Sequence, residues 1–180
     1  MEGKIVYFDR AGEENTQAVF DLVDEAMAQQ GIKKVVLAST RGGTARHAMD
    51  RYKGKGVRLI IVPHQYGSRP EQRFPEELVA RAREEGHEVL FSTMVLSMEA
   101  LLGPNAGSRI SDSLRVFCQG FKVCVEILLM AGDAGLVKAG EQVIAVAGTG
   151  RGADTAMIAT GSTTRDLRAL HVSQILCKPL

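Results

Sequence analysis

The stretch "VVLASTRGGTARHAM" (residues 35–49) passes from three branched aliphatic residues through small hydroxyls and two adjacent glycines into chain with helical spacing. Ala45, Ala48, Met49 and Tyr52 share one helical face, so residues 44–52 read as a helix and Val35–Leu37 as the strand feeding it. Small hydroxyls and glycines between a strand end and a helix start make chain that can close its backbone around an anion.

The same grammar extends in both directions. Upstream, residues 4–8 (KIVYF) read as a first strand, followed by Asp9, Gly12 and acidic residues. Asn15 opens a helix on which Val19, Leu22, Val23, Ala26 and Met27 recur until Gly31 stops it. Downstream, residues 57–62 form a third strand without polar alternation, as expected when both sheet faces are covered. Pro75 suits the first turn of a third helix carrying Leu78, Val79 and Ala82, which Gly86 ends. Residues 88–91 give a fourth strand, and residues 92–108 a short helix and a loop through Gly103-Pro104-Asn105. Ile110, Leu114, Phe117 and Cys118 indicate a further helix, bent or broken at Gly120. Residues 121–135 are apolar almost all round, which predicts a buried helix. Residues 142–147 make the next strand, and residues 156–159 and 172–176 are short β-like runs suited to antiparallel edge strands.

Alternating strands and helices force a mostly parallel sheet with helices on both faces. The expected fold is therefore one α/β domain over residues 1–180, a three-layer α/β/α sandwich with antiparallel edge strands. Composition agrees: 45% of the 180 residues are apolar and 24% charged, as in ordinary globular proteins. A net charge of +1 gives no reason to expect nucleic acid as a partner. The apolar run 127–131 is far too short to span a bilayer, and a start with Glu2 and Lys4 is unlike a signal peptide. Cys118, Cys124 and Cys177 are odd in number and lack CxxC spacing, so they read as reduced core residues of a cytoplasmic protein, ahead of metal ligands.

In such a sheet the parallel strands end on one edge, where ligands collect. Five polar loops are expected there: residues 9–16 with Asn15 and Thr16 at a helix start; Ser39, Thr40, Arg41, Gly42, Gly43 and Thr44; residues 63–69 with His64, Tyr66 and Gly67; Ser92 and Thr93; and Gly148, Thr149, Gly150, Arg151, Gly152, Ala153, Asp154 and Thr155. Glycines let amides approach an oxyanion, hydroxyls add donors, and the helix after Gly43 brings its positive end. Arg41, Arg46 and Arg151 can supply charge, although Arg46 also reads as a solvent-facing residue. The loops fit neither a Walker A motif nor GxGxxG, and GxGxG at 148–152 is weak alone. Each glycine loop taken singly reads slightly better as a plain turn; two at one edge favour a phosphate site.

Other residues have plainer readings. His64 and Tyr66 are placed to stack on a planar ligand or a sugar, but a lone loop histidine is more often simply exposed. Glu126 lies in an apolar helix with Lys122 four residues earlier, a helix-face partner rather than a catalytic group. Asp154 reads as a loop brace and Cys124 as core.

"ENTQAVFDLVDEA" (14–26), "VVLASTRGGTAR" (35–46), "LIIVP" (59–63), "GLVKAGEQVIAVAG" (135–148) and "GADTAMI" (152–158) resemble, in the same order, the C-terminal α/β domain of pyruvate kinase. The resemblance is closer still to small stand-alone proteins of that domain, through "GFKVCVEILLMAGDAG" (120–135) and "RGADTA" (151–156), and it covers most of the chain outside 64–75 and 92–119. It implies that Ser39, Thr40, Gly42, Gly43 and Thr44 contact the phosphate of a phosphorylated small molecule. Flavin mononucleotide (FMN) is the cofactor that the stand-alone relatives most suggest. The catalytic barrel of pyruvate kinase cannot fit in 180 residues beside this domain, and no Mg²⁺-binding acidic motif is visible, so phosphate transfer from phosphoenolpyruvate to ADP is not expected. His64, Tyr66 and Gly67 depart from the kinase pattern. Three functions stay open: a phospho-ligand binding domain; a flavin-dependent oxidoreductase or other small phospho-ligand enzyme using His64, Tyr66 or Thr93; and a regulatory or homo-oligomeric assembly module.

Overall fold

The computed structural model describes residues 3–180. Glu2, read above with Lys4 against a leader, lies outside them. The quoted stretch folds as read: β2 is Lys34–Ala38 and α2 is Gly43–Tyr52, joined by residues 39–42. Before it come β1 (Val6–Phe8), a 3-10 turn at Glu13–Asn15 and α1 (Thr16–Gln30). After it come β3 (Arg58–Val62), α3 (Glu76–Glu84), β4 (Glu88–Val89), α4 (Glu99–Leu102), α5 (Ala106–Arg115) and α6 (Gln119–Asp133). The chain closes with β5 (Gln142–Ala147), β6 (Thr155–Thr160), a 3-10 segment at Thr164–Ala169 and β7 (His171–Pro179).

The sheet order is β1-β7-β6-β5-β2-β3-β4. β5, β2, β3 and β4 pair in parallel, β6 is antiparallel to both β5 and β7, and β1 runs parallel to β7. The two runs expected as antiparallel edge strands fall in β6 and β7, which pair antiparallel to one another, but β1 covers β7 and takes the edge.

Alternation along each strand sends side chains to two cores. Val35, Leu37, Leu59, Ile61, Ile144 and Val146 pack with α1, α2 and α3, whereas Val36, Ile60, Val62, Val143 and Ala145 pack with α6. Both faces are covered, which is why these strands carry no polar alternation. Along α6 every residue from Gly120 to Gly132 is buried except Val123.

Three local readings change. Pro75 stands just before α3 in extended conformation, its carbonyl accepting from Leu78 and Val79, rather than inside the first turn. The break between α5 and α6 falls at residues 116–118, and Gly120 lies inside α6. There the helix meets β6 so closely that an added Cβ would stand 2.1 Å from the Thr155 hydroxyl oxygen. Cys118 is not plain core: its Sγ accepts from the Phe121 amide at 3.3 Å and so caps α6. Cys124 and Cys177 are buried as expected, and burial raises both thiols, Cys177 to about 12.

Burial also holds His47, His64 and His87 below the usual imidazole range. His87 is the clearest case, because its Nδ1 accepts the Leu59 amide at 3.4 Å and a second proton would face that donor. Glu85 opposes the shift without overcoming burial. A folded pKa below the unfolded value of 6.5 means the unfolded chain takes up protons first. Stability is therefore full above that value and falls as pH drops through it towards the lower folded pKa. Urea titrations at a series of pH values should show this decline, and His87→Gln should flatten it. Equal slopes for the two proteins would exclude His87 as its source.

Candidate functional site

Strand order reverses at β2. From β2 the chain builds outward to β3 and β4, then returns through α5 and α6 to lay β5 on the other side of β2. Neighbouring strands whose connections diverge in this way leave a crevice beyond their C-terminal ends. A cavity of about 370 Å³ lies there, lined by Ser39, Thr40, Arg41, Gly43, Thr44 and Arg46 from the β2–α2 connection, by Gly150, Arg151 and Gly152 from the β5–β6 connection, and by Glu13.

The β2–α2 connection is shaped by two contacts. Gly42 takes a φ of +85°, and a Cβ there would stand 2.4 Å from Leu78, so the turn holds only a glycine. Ser39, almost fully buried, accepts the Ala45 amide on its Oγ at 3.1 Å, capping α2 while keeping its own proton to donate. The amides of Gly43 and Thr44 lie in the first turn of α2 and have no acceptor within the helix. Gly43 is exposed, and beyond its Cα there is open space. The rim thus offers free N–H groups, hydroxyls and Arg41, Arg46 and Arg151 against one carboxylate, Glu13; Arg46 is also paired with Glu77 at 3.1 Å.

Several expected contacts serve as scaffold instead. Asp154, fully buried, accepts the Gly12 amide at 3.2 Å, the Thr149 amide at 2.9 Å and the Thr155 hydroxyl at 2.7 Å. The Thr149 amide is therefore spent on Asp154, and Gly148 packs against Gly152 and Ala153. Thr16 donates to the Glu13 carbonyl and accepts from the Ala153 amide, while Asn15 holds the carbonyls of Arg10 and Gly12. Gly152, at φ +65°, presses so close to Glu13 that a Cβ would reach its Cα at 2.4 Å. These contacts lock the β1–α1 and β5–β6 connections together beneath the cavity.

The remaining expected residues separate. His64 lines a second, more enclosed cavity of about 180 Å³ on the other side of the β2 exit, and Ala38 and Thr40 border both. Tyr66 is exposed and packs on Phe91 with ring centres 4.8 Å apart, and Thr93 is exposed. Neither of them, nor Gly67, lines either cavity. The second cavity brings in residues that the sequence reading placed in no site: Met94, Ser97, Arg115 and Gln119, with Lys122 and Glu126. Lys122 and Glu126 do pair, at 2.5 Å, but almost fully buried. Glu126 also accepts from the Leu96 amide at 2.9 Å and the Ser97 hydroxyl at 3.2 Å, and Lys122 donates to Ser97 at 2.8 Å. Ionisable residues inside an otherwise apolar helix were the one sequence signal of this cluster.

No family model matches the chain. Among solved structures, Cryptosporidium parvum pyruvate kinase in complex with ADP aligns at TM-score 0.40 and 18% identity, over 79% of this chain and 22% of that one. A second pyruvate kinase structure from the same organism aligns at TM-score 0.37 and 18% identity, over 76% and 21%. Both are pyruvate kinases, the family whose C-terminal domain the sequence blocks resemble, and this chain spans about a fifth of their length.

Proposed function

We propose that this protein binds a phosphate ester, FMN first among them, with its phosphate on the β2–α2 connection. The observation that carries this reading is the meeting, in one crevice, of unpaired amides at the start of α2, the Ser39 and Thr40 hydroxyls and three arginines. A dianion there is stabilised by hydrogen bonds to backbone N–H groups and by the helix dipole. Among the described residues, no group of three or more His, Cys, Asp or Glu is placed to hold a metal ion. The proposed recognition runs through the amides, hydroxyls and guanidinium groups that line the crevice.

The direct test is the protein as purified: bound flavin gives a yellow solution and releases FMN on denaturation. Gly43→Asp tests the location. Its side chain has open space, and an acid in the first turn of a helix stabilises the helix by about 0.3–1 kcal/mol. The same carboxylate occupies the phosphate position, so affinity for inorganic phosphate and for FMN should fall at least tenfold while thermal stability holds or rises. Unchanged phosphate affinity would remove the phosphate from this loop.

The oxidoreductase reading keeps His64, which borders the second cavity, and loses support at Tyr66 and Thr93. The assembly reading has the exposed apolar residues Leu101, Leu102, Val116 and Phe117 in its favour. Light scattering with and without FMN addresses it.

A further inference from the structure

The cavity behind His64 has a chemistry of its own. Val62, Met94, Ile127 and Met130 give it apolar walls, and Lys122 and Arg115 bring cationic donors. Both oxygens of Glu126 are engaged, one by Lys122 and the other by Leu96 and Ser97. Lys122 uses two of its three N–H groups, on Ser97 and Glu126. Arg115 spends its Nε on Gln119 and Nη1 on Asp112, leaving Nη2, and the Gln119 amide nitrogen has no protein acceptor. The spare hydrogen-bonding capacity of these side chains is thus donors, set beside apolar surface. Such lining suits a flat group with oxygen acceptors at its edge. At about 180 Å³ this is the smaller and more enclosed of the two cavities, which suits the edge of one ring.

We propose that this cavity takes the ring end of the phosphate ester held next door: an edge bearing carbonyl oxygens that accept hydrogen bonds from Lys122 and Arg115. Thr40 and Ala38 border both cavities, so a ligand passing over the β2 exit spans them. The inference rests on the phosphate reading above and deepens it. It also gives the buried ion pair a purpose. Glu126 pins residues 96 and 97 to α6 and gives the buried Lys122 nitrogen its partner.

Calorimetry with three probes, FMN, riboflavin and inorganic phosphate, tests it on the full chain. Two variants alter the ring cavity by different means. Lys122→Met with Glu126→Gln removes the charge pair together, and Val123→Phe fills the cavity from a partly exposed position on α6. Arg115→Ala, at an exposed site, removes the second donor with no burden on folding. Each should weaken FMN at least tenfold, except Arg115→Ala, expected at threefold to tenfold, while inorganic phosphate stays within twofold of the parent protein. Parent protein binding FMN no tighter than phosphate, or FMN affinity unchanged in folded double variant and Val123→Phe alike, would overturn the ring site and leave the phosphate loop standing. If instead phosphate fails to bind the parent protein, the loop reading falls. Riboflavin then decides the ring site alone: binding that Val123→Phe weakens sustains it, and no binding ends it.

Discussion

Replacing Asp154 by Ala should cost about 3 kcal/mol of folding stability and abolish phosphate binding, although Asp154 lines neither cavity. Its carboxylate is fully buried and takes three donors: the Gly12 and Thr149 amides and the Thr155 hydroxyl. An orphaned buried donor costs about 1–3 kcal/mol. The two amides lie in partly exposed loops where water can replace part of the loss, which brings the sum down towards the stated figure. The functional loss has a separate cause. Asp154 ties Gly12 to a residue 142 positions later, and that tie sets Glu13 and Gly152 against one another at the cavity wall. Without it the β5–β6 connection and Arg151 no longer face the start of α2. Asp154→Asn keeps one acceptor and turns an amide hydrogen towards a donor, so it should fall between the two. Urea denaturation and phosphate calorimetry on the three proteins check both effects. A stable Asp154→Ala that binds phosphate normally would show that the loops hold their places by packing alone.

The second large effect concerns the ion pair. Glu126→Ala should lose about 3–5 kcal/mol, the usual cost of stranding one member of a buried pair. Here the stranded member is Lys122, 1% exposed, with only Ser97 left as acceptor. Lys122→Met should cost less, because Glu126 keeps the Leu96 amide and the Ser97 hydroxyl. The double change, Lys122→Met with Glu126→Gln, removes both charges and retains an acceptor for Leu96, so it should be milder than Glu126→Ala alone. Glu126→Gln alone should also cost more than the double change, and with Lys122→Met it closes the double-mutant cycle that measures coupling across the pair. Additive losses would mean that water reaches the pair and each charge stands by itself.

Some of the site was legible in the residues and some was not. Ser39, Thr40, Gly43 and Thr44 could be placed on one loop because strand, loop and helix are adjacent in sequence and each has its own period. That the loop after β5 would reach the same rim followed from parallel strands ending together, and Gly150, Arg151 and Gly152 do line the cavity. Which of those loop residues would face the cavity did not follow. Thr149, Ala153 and Thr155 look as suitable as Arg151 on paper, but the Thr149 and Ala153 amides and the Thr155 hydroxyl are taken by Asp154 and Thr16. Ser39 likewise divides its hydroxyl between the helix and the cavity, a division set by where the Ala45 amide falls.

What the sequence determined by itself was periodicity: strands without polar alternation, amphipathic helices, an α6 apolar almost all round, and hence helices on both faces of a mostly parallel sheet. These are short-range properties, fixed by which side of a helix or strand is apolar. The tertiary structure alone decided the order β1-β7-β6-β5-β2-β3-β4, the crevice between β2 and β5, and the second cavity, where residues 94–97 meet α6. Those features depend on contacts such as Gly12 with Asp154 and Leu96 with Glu126. Chain separated by tens of residues carries no mutual period, so only the packed sheet brings such partners within hydrogen-bonding distance.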